Sequence, residues 1–145
     1  MRLGRGAVSK ADAVGSVQPI HVLLVEDQTH DAQKLLRMLY DIPPAADSGE
    51  KIFKVTAAHT VTAALDCLNR EAFDIVLLAL RCPQTAGNDA LARIRRQAPE
   101  TPIVVLTDCD DHCLALWAIR QGAQDYLPKD ELDQRLLVRT IRHAI

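Results

Sequence analysis

Short apolar runs alternate along the chain with stretches of helical spacing. Ile20 to Val25 is apolar and β-branched and ends in the acidic pair Glu26-Asp27, the pattern of a buried strand opening into a loop. From Thr29 the period changes: Ala32, Leu35, Leu36 and Leu39 fall on one face of a predicted helix, with Asp31 well placed in its first turn. Asp41 to Glu50, with two prolines and a glycine, predicts a surface loop. Ile52 to Ala57 reads as a second strand, and Thr60 to Asn69 as a second helix burying Ala64, Leu65 and Leu68.

Phe73-Asp74 then introduces an unbroken apolar run, Ile75 to Leu80, closed by Arg81-Cys82-Pro83. A run apolar at every position suits a strand covered on both faces, as in a parallel sheet flanked by helices. Gln84 to Gly87 predicts a loop, and Asn88 or Asp89 can cap a third helix through Leu91 and Ile94 to Gln97, ended by Pro99 to Pro102. Ile103 to Thr107 is a fourth strand. Asp110 or Asp111 starts a fourth helix through Leu114, Trp117 and Ala118, with Gly122 placed to stop it. Asp125-Tyr126-Leu127 is a short fifth strand leading to Pro128-Lys129, and Asp130 opens a final helix using Leu132, Leu136, Leu137 and Ile141. That helix shows no terminating signal, which suggests a longer parent chain beyond Ile145.

Strands alternating with helices in this way predict an α/β fold: a doubly wound parallel sheet of five strands with helices on both faces. Such sheets bind at the carboxyl ends of their strands, where strand order reverses. The residues at those ends are Glu26 and Asp27, Ala79 to Arg81, Thr107 and Asp108, and Lys129.

Composition narrows the class without adding chemistry. A chain of 145 residues fits one domain with an ordinary core. The first eighteen residues read as a disordered leader, with no continuous apolar segment of the kind a secretory signal needs, and 19–145 as the domain. A net charge of −2 gives no reason to expect a nucleic-acid surface. No apolar run reaches the length of a membrane span, so a cytoplasmic location is expected. Cys67, Cys82, Cys109 and Cys113 show no CxxC spacing, and free thiols are the default.

Leu24-Val25-Glu26-Asp27, Asp74-Ile75-Val76-Leu77-Leu78, Pro83, Gly87, Val105-Leu106-Thr107, Gly122-Ala123-Gln124-Asp125-Tyr126-Leu127 and Lys129 occur in this order. Together they resemble a response-regulator receiver domain over roughly residues 20 to 145. The resemblance implies a flavodoxin-like sheet of order 2-1-3-4-5 with its phosphate site at the first and third strands. It also implies that an aspartate ending the third strand takes a phosphoryl group from a histidine kinase while an acidic pair holds magnesium. Carried over position by position, Glu26 and Asp27 match the acidic pair, Thr107 the hydroxyl that reads the phosphate, Lys129 the phosphate-contacting lysine and Tyr126 the switch aromatic. The acceptor does not carry over: four residues before Pro83 and eight before Gly87 stands Ala79.

A methyl group is no nucleophile, and aspartyl-phosphate formation needs a carboxylate oxygen in line with the donor phosphorus. Magnesium needs near-octahedral oxygen coordination, and here one carboxylate and the phosphate would both be missing, so metal binding at Glu26 and Asp27 is expected to be weak or absent. Arg81, two residues beyond Ala79, is a candidate occupant of the vacated pocket as counter-ion to Asp27 or Glu26. The alternative is an arginine pointing into solvent.

Each remaining candidate has a plainer reading beside it. Thr107 and Lys129 can be relics that hold the pocket together, and Tyr126 a half-buried packing residue. Asp108 and Asp110 could be replacement acceptors, though aspartate at a helix start is commonly a cap. Cys82, Cys109, Cys113 and His112 could form a redox or zinc site near the pocket mouth, or be isolated small hydrophobes. His21, His30, His59 and His143 need only surface or packing roles.

The losses imply a pseudo-receiver: no enzyme, but a protein-interaction or dimerisation module in two-component-type signalling that works without phosphorylation. The resemblance puts its mating face on the fourth helix, fifth strand and fifth helix, with Leu116, Trp117 and Arg120 as contacts, or Trp117 packing on its own domain. A small-molecule or redox sensor is one alternative. An ordinary phosphoryl-accepting regulator whose acceptor was changed to Ala79 is another.

Overall fold

The computed structural model describes residues 19–40, 53–80, 85–107 and 112–145, with backbone alone for 85–89 and 112–114. The expected leader, the Asp41 to Glu50 loop, Arg81, Cys82, Asp108, Cys109 and Asp110 therefore lie outside the described residues, as do the side chains of His112 and Cys113. Five strands, β1 (Ile20–Val25), β2 (Phe53–Ala58), β3 (Ile75–Leu80), β4 (Ile103–Thr107) and β5 (Asp125–Pro128), form one parallel sheet in the order β2-β1-β3-β4-β5. The helices between them are α1 (Thr29–Tyr40), α2 (Val61–Arg70), α3 (Thr85–Gln97) and α4 (His112–Arg120). A 3₁₀ turn (Lys129–Glu131) and α5 (Gln134–Ala144) follow β5. The fold class is that expected from the alternation of patterns, and the strand order is that implied by the resemblance to receiver domains.

Strand alternation divides the apolar residues between two cores. Leu23, Val25, Val76, Leu78, Ile103 and Val105 face α2, α3 and α4, meeting Ala64, Leu91, Ile94 and Ala118. Val22, Leu24, Ile75, Leu77, Val104 and Leu106 face the other way, onto Leu35 and Leu39 of α1 and Leu137 and Ile141 of α5. Burying each such side chain stabilises the fold by roughly 1.5–3 kcal/mol. Ala79 follows Ile75 and Leu77 by alternation, which turns it to the α1/α5 side.

Two element boundaries differ from expectation by more than two residues. The third helix begins at Thr85, so Gly87 lies inside it. Gly and Asn are poor helix formers and suggested a loop, but once Ala90, Leu91 and Ile94 are anchored in the core, adding a turn costs little. The last helix does not start at Asp130. A 3₁₀ turn comes first, Leu132 is extended and buried, and Asp133 is the N-cap, its carboxylate accepting from the Leu136 N–H at 2.8 Å. Two aspartates carried a capping signal, and the need to bury Leu132 selects the second. Gly122 does stop α4: its φ of 106° favours glycine, and a Cβ there would collide with the Arg95 guanidinium.

Polar residues stitch the amino ends of the strands. The Asp74 carboxylate accepts the His21 N–H at 2.8 Å, and the Asp74 N–H donates to the His21 carbonyl at 2.8 Å. The His21 ring tilts against Phe73, with centroids 4.5 Å apart. Its Nε2 lies 3.2 Å from Glu71 Oε1, at ion-pair distance but not aligned for a hydrogen bond. At the sheet edge, the Tyr40 hydroxyl accepts the outward Val55 N–H at 2.9 Å, covering part of an otherwise open strand.

Candidate functional site

The order β2-β1-β3 reverses direction of progression at β1 and β3, and a cleft opens where their carboxyl ends meet. Its volume is about 310 Å³, and it is lined by Glu26, Asp27, Gln28, Asp31, Ala79, Leu80 and Lys129. Four of the residues singled out from the sequence, Glu26, Asp27, Ala79 and Lys129, are thus brought together.

Glu26 is buried to 2% exposure directly after β1, held by its N–H to the Ala58 carbonyl at 3.0 Å. Both oxygens of its carboxylate are engaged. Oε1 accepts from Lys129 Nζ at 2.5 Å, and Oε2 accepts the Gln28 N–H at 3.0 Å. Nδ1 of His59, at the end of β2, lies 3.1 Å from the Glu26 carbonyl oxygen and donates to it in the Nδ1–H tautomer. Asp27 is exposed on the open side of the cleft.

Lys129 enters from the end of β5. Pro128 ends that strand in register with Thr107, and the 3₁₀ turn carries the lysine side chain back over the strand ends. Its Nζ makes a second bond, to Asp31 Oδ2 of α1, at 3.0 Å. The lysine side chain is 17% exposed. Burial pulls its pKa down, but hydrogen bonds to Glu26 and Asp31 and the charges of both carboxylates outweigh it, so the pKa stands above the ordinary lysine value of 10.5.

Thr107 is fully buried at the end of β4, in register with Leu80, and is not among the cleft-lining residues. Tyr126 is half-buried and packs against the core that faces α2, α3 and α4. Trp117 is half-buried against the same core, whereas Leu116 and Ile119 of α4 are 58% and 47% exposed and Arg120 is exposed beside them. Of the four cysteines, Cys67 is the one with a described side chain: a half-buried free thiol packed into the core.

Asp31, Gln28 and His59 were not legible as site residues. For Asp31 a signal existed: it is an acid in the first turn of the helix that directly follows the acidic pair. Helix-dipole complementarity accounted for it fully and hid its reach across the cleft.

The described residues do not fit a magnesium ion. Glu26 has both oxygens occupied, Ala79 supplies none, and among the described residues no three His, Cys, Asp or Glu side chains are grouped to hold a metal.

The fold agrees with comparisons to known proteins. Residues 22–142 match the family model of the response regulator receiver domain, and the chain belongs to that family. It is similar to the transcriptional regulatory protein CpxR of Escherichia coli, 32% identical over 118 residues, which cover 81% of this chain and 46% of CpxR. It is 30% identical over 125 residues to the uncharacterized transcriptional regulatory protein YkoG of Bacillus subtilis, covering 86% of this chain and 50% of YkoG. The chain thus spans half or less of the length of these relatives. Among solved structures, the signal receiver domain of an HD domain-containing protein from Pseudomonas fluorescens superposes with a TM-score of 0.70 at 31% identity, covering 88% of this chain and 94% of that one. The chemotaxis protein CheY4 of Vibrio cholerae gives a TM-score of 0.71 at 22% identity, covering 88% and 100%, and so supports the fold. The chain is a receiver domain of the kind found in two-component signalling.

Proposed function

We propose that this receiver domain works without phosphorylation, as a cytoplasmic protein-interaction or dimerisation module over residues 19–145. The observation that carries the reading is Ala79: it lines the cleft with Glu26, Asp27 and Lys129, at the position where the family's motif calls for the acceptor aspartate. A methyl group there can neither attack phosphorus nor ligate magnesium. Lys129 is already paired with two carboxylates in the absence of a phosphoryl group.

The contact surface in this reading is α4, where Leu116 and Ile119 are exposed next to Arg120. Trp117 serves mainly to fix the helix on its own core, and the flanking aliphatic residues make the contact. Incubating the full chain with phosphoramidate and magnesium, followed by intact-mass measurement, tests the first half of the reading. No phosphoryl adduct is expected, and a stoichiometric adduct would overturn it. Light scattering of the native chain and of Leu116→Arg tests the second half, with loss of self-association or of partner binding expected for the variant.

A further inference from the structure

The sequence pattern points to Arg81 as the group that answers the charge of the vacated pocket. The described side of the cleft already contains another arrangement. Lys129 carries three N–H donors, and two are committed, to Glu26 Oε1 on the strand side and to Asp31 Oδ2 on the helix side. An ammonium this far withdrawn from water needs close opposite charge and well-made hydrogen bonds. Glu26 supplies only part of that, because its second oxygen is turned to the Gln28 N–H. The rest comes from Asp31, which is 37% exposed and so loses less hydration than a carboxylate on the cleft floor would. The floor residue at the end of β3 is Ala79, which contributes no charge.

We propose that Asp31 is a positioning residue that fixes Lys129 from α1, the second of two carboxylates that hold the ammonium between β1, α1 and the end of β5 where position 79 offers none. This rests on reading Ala79 as the acceptor position. The charged groups around Lys129 are Glu26 and Asp27 at the end of β1, Asp31 on α1, and Lys34 on the same helix, which lines a small adjoining hollow with Leu35, Met38, Leu132, Asp31 and Lys129 itself. A carboxylate restored at position 79 would join the two already bonded to that ammonium, with Asp27 a further acid on the cleft lining. Positions 31 and 79 are therefore coupled although the chain separates them widely.

The test uses the full chain with Asp31→Asn, Asp31→Glu, Ala79→Asp and the double variant Ala79→Asp/Asp31→Asn. Thermal midpoints and the titration of Lys129 Nζ by heteronuclear NMR are read for each. Asp31→Asn is expected to move the Lys129 titration to lower pH, and Asp31→Glu to restore most of that shift, which loss of helix structure alone would not do. Ala79→Asp is expected to lower the thermal midpoint in the native background and to leave it unchanged or raise it in the Asp31→Asn background. Equal midpoint shifts in the two backgrounds, or a Lys129 titration unmoved by Asp31→Asn, would sink the proposal. The titration arm needs no change at position 79, so it decides even where Ala79→Asp does not fold. Phosphoramidate labelling of the unaltered chain would overturn the reading of Ala79 while leaving the Asp31–Lys129 titration result in place, so the two failures are separable.

Discussion

The two ends of the sheet both hold polar groups tied across strands, and they do so for different ends. At the amino ends, Asp74 and His21 exchange two hydrogen bonds that lace β3 to β1, with Phe73 and Glu71 against the imidazole. That cluster ties two adjacent strands together and accounts for itself as structure. At the carboxyl ends, Glu26, Lys129 and Asp31 come from three elements and surround an open cleft. Stitching two adjacent strands does not require a cavity of about 310 Å³ or a buried carboxylate with both oxygens engaged. The contrast separates a polar cluster that holds the fold from one that keeps the shape of a site.

The strongest way to break that contrast is Lys129→Met. It strands the Glu26 carboxylate in the interior, and loss of one partner of a buried pair costs roughly 3–5 kcal/mol, to be read as a lowered midpoint in chemical denaturation. A loss below about 1 kcal/mol would show that water reaches Glu26 and that the cleft is looser than described.

Next in size is Asp74→Ala at the other end. It removes one carboxylate-to-backbone bond and is expected to cost about 1–2 kcal/mol while leaving the titration of Lys129 in place. If Lys129 shifted as well, the two ends of the sheet would be coupled and the contrast would fail.

The pH dependence sharpens the same comparison. The folded-state pKa of Lys129 is raised, so its contribution is fully present below the ordinary value of 10.5 and is lost as pH rises through the higher folded value. Stability of the native chain should therefore fall on the alkaline side above about 10.5, and Lys129→Met should flatten that part of the profile. Equilibrium denaturation across that range measures it. Smallest of all is Leu116→Arg on the exposed face of α4, expected to change stability by less than about 0.5 kcal/mol while altering association.

Much of this was legible in the chain. The apolar runs at 20–25, interrupted only by His21, at 75–80 and at 103–106 are strands buried on both faces, and the burial of Val22 to Val25 and Ile75 to Leu78 follows the pattern. Less legible was the start of the last helix, where Asp130 and Asp133 carry the same capping chemistry and only the burial of Leu132 distinguishes them. Trp117 could have faced either way, because α4 is apolar on more than one side. The structure turns it partly inward and leaves Leu116 and Ile119 outside.

The sequence by itself determined the alternation of strands and helices, the class of the fold and the place of Ala79 near the end of the third strand. These are local properties, set by periodicity and by spacing to neighbouring residues along the chain. Only the tertiary structure decided that Lys129 would bond an aspartate 98 positions away on α1, and that Asp74 would close on His21, 53 positions away. Hydrogen bonds and ion pairs act over a few ångströms, so partners distant in sequence are chosen by how the packed elements bring them together. For Asp31, helix placement allowed a local role and packing assigned it a second.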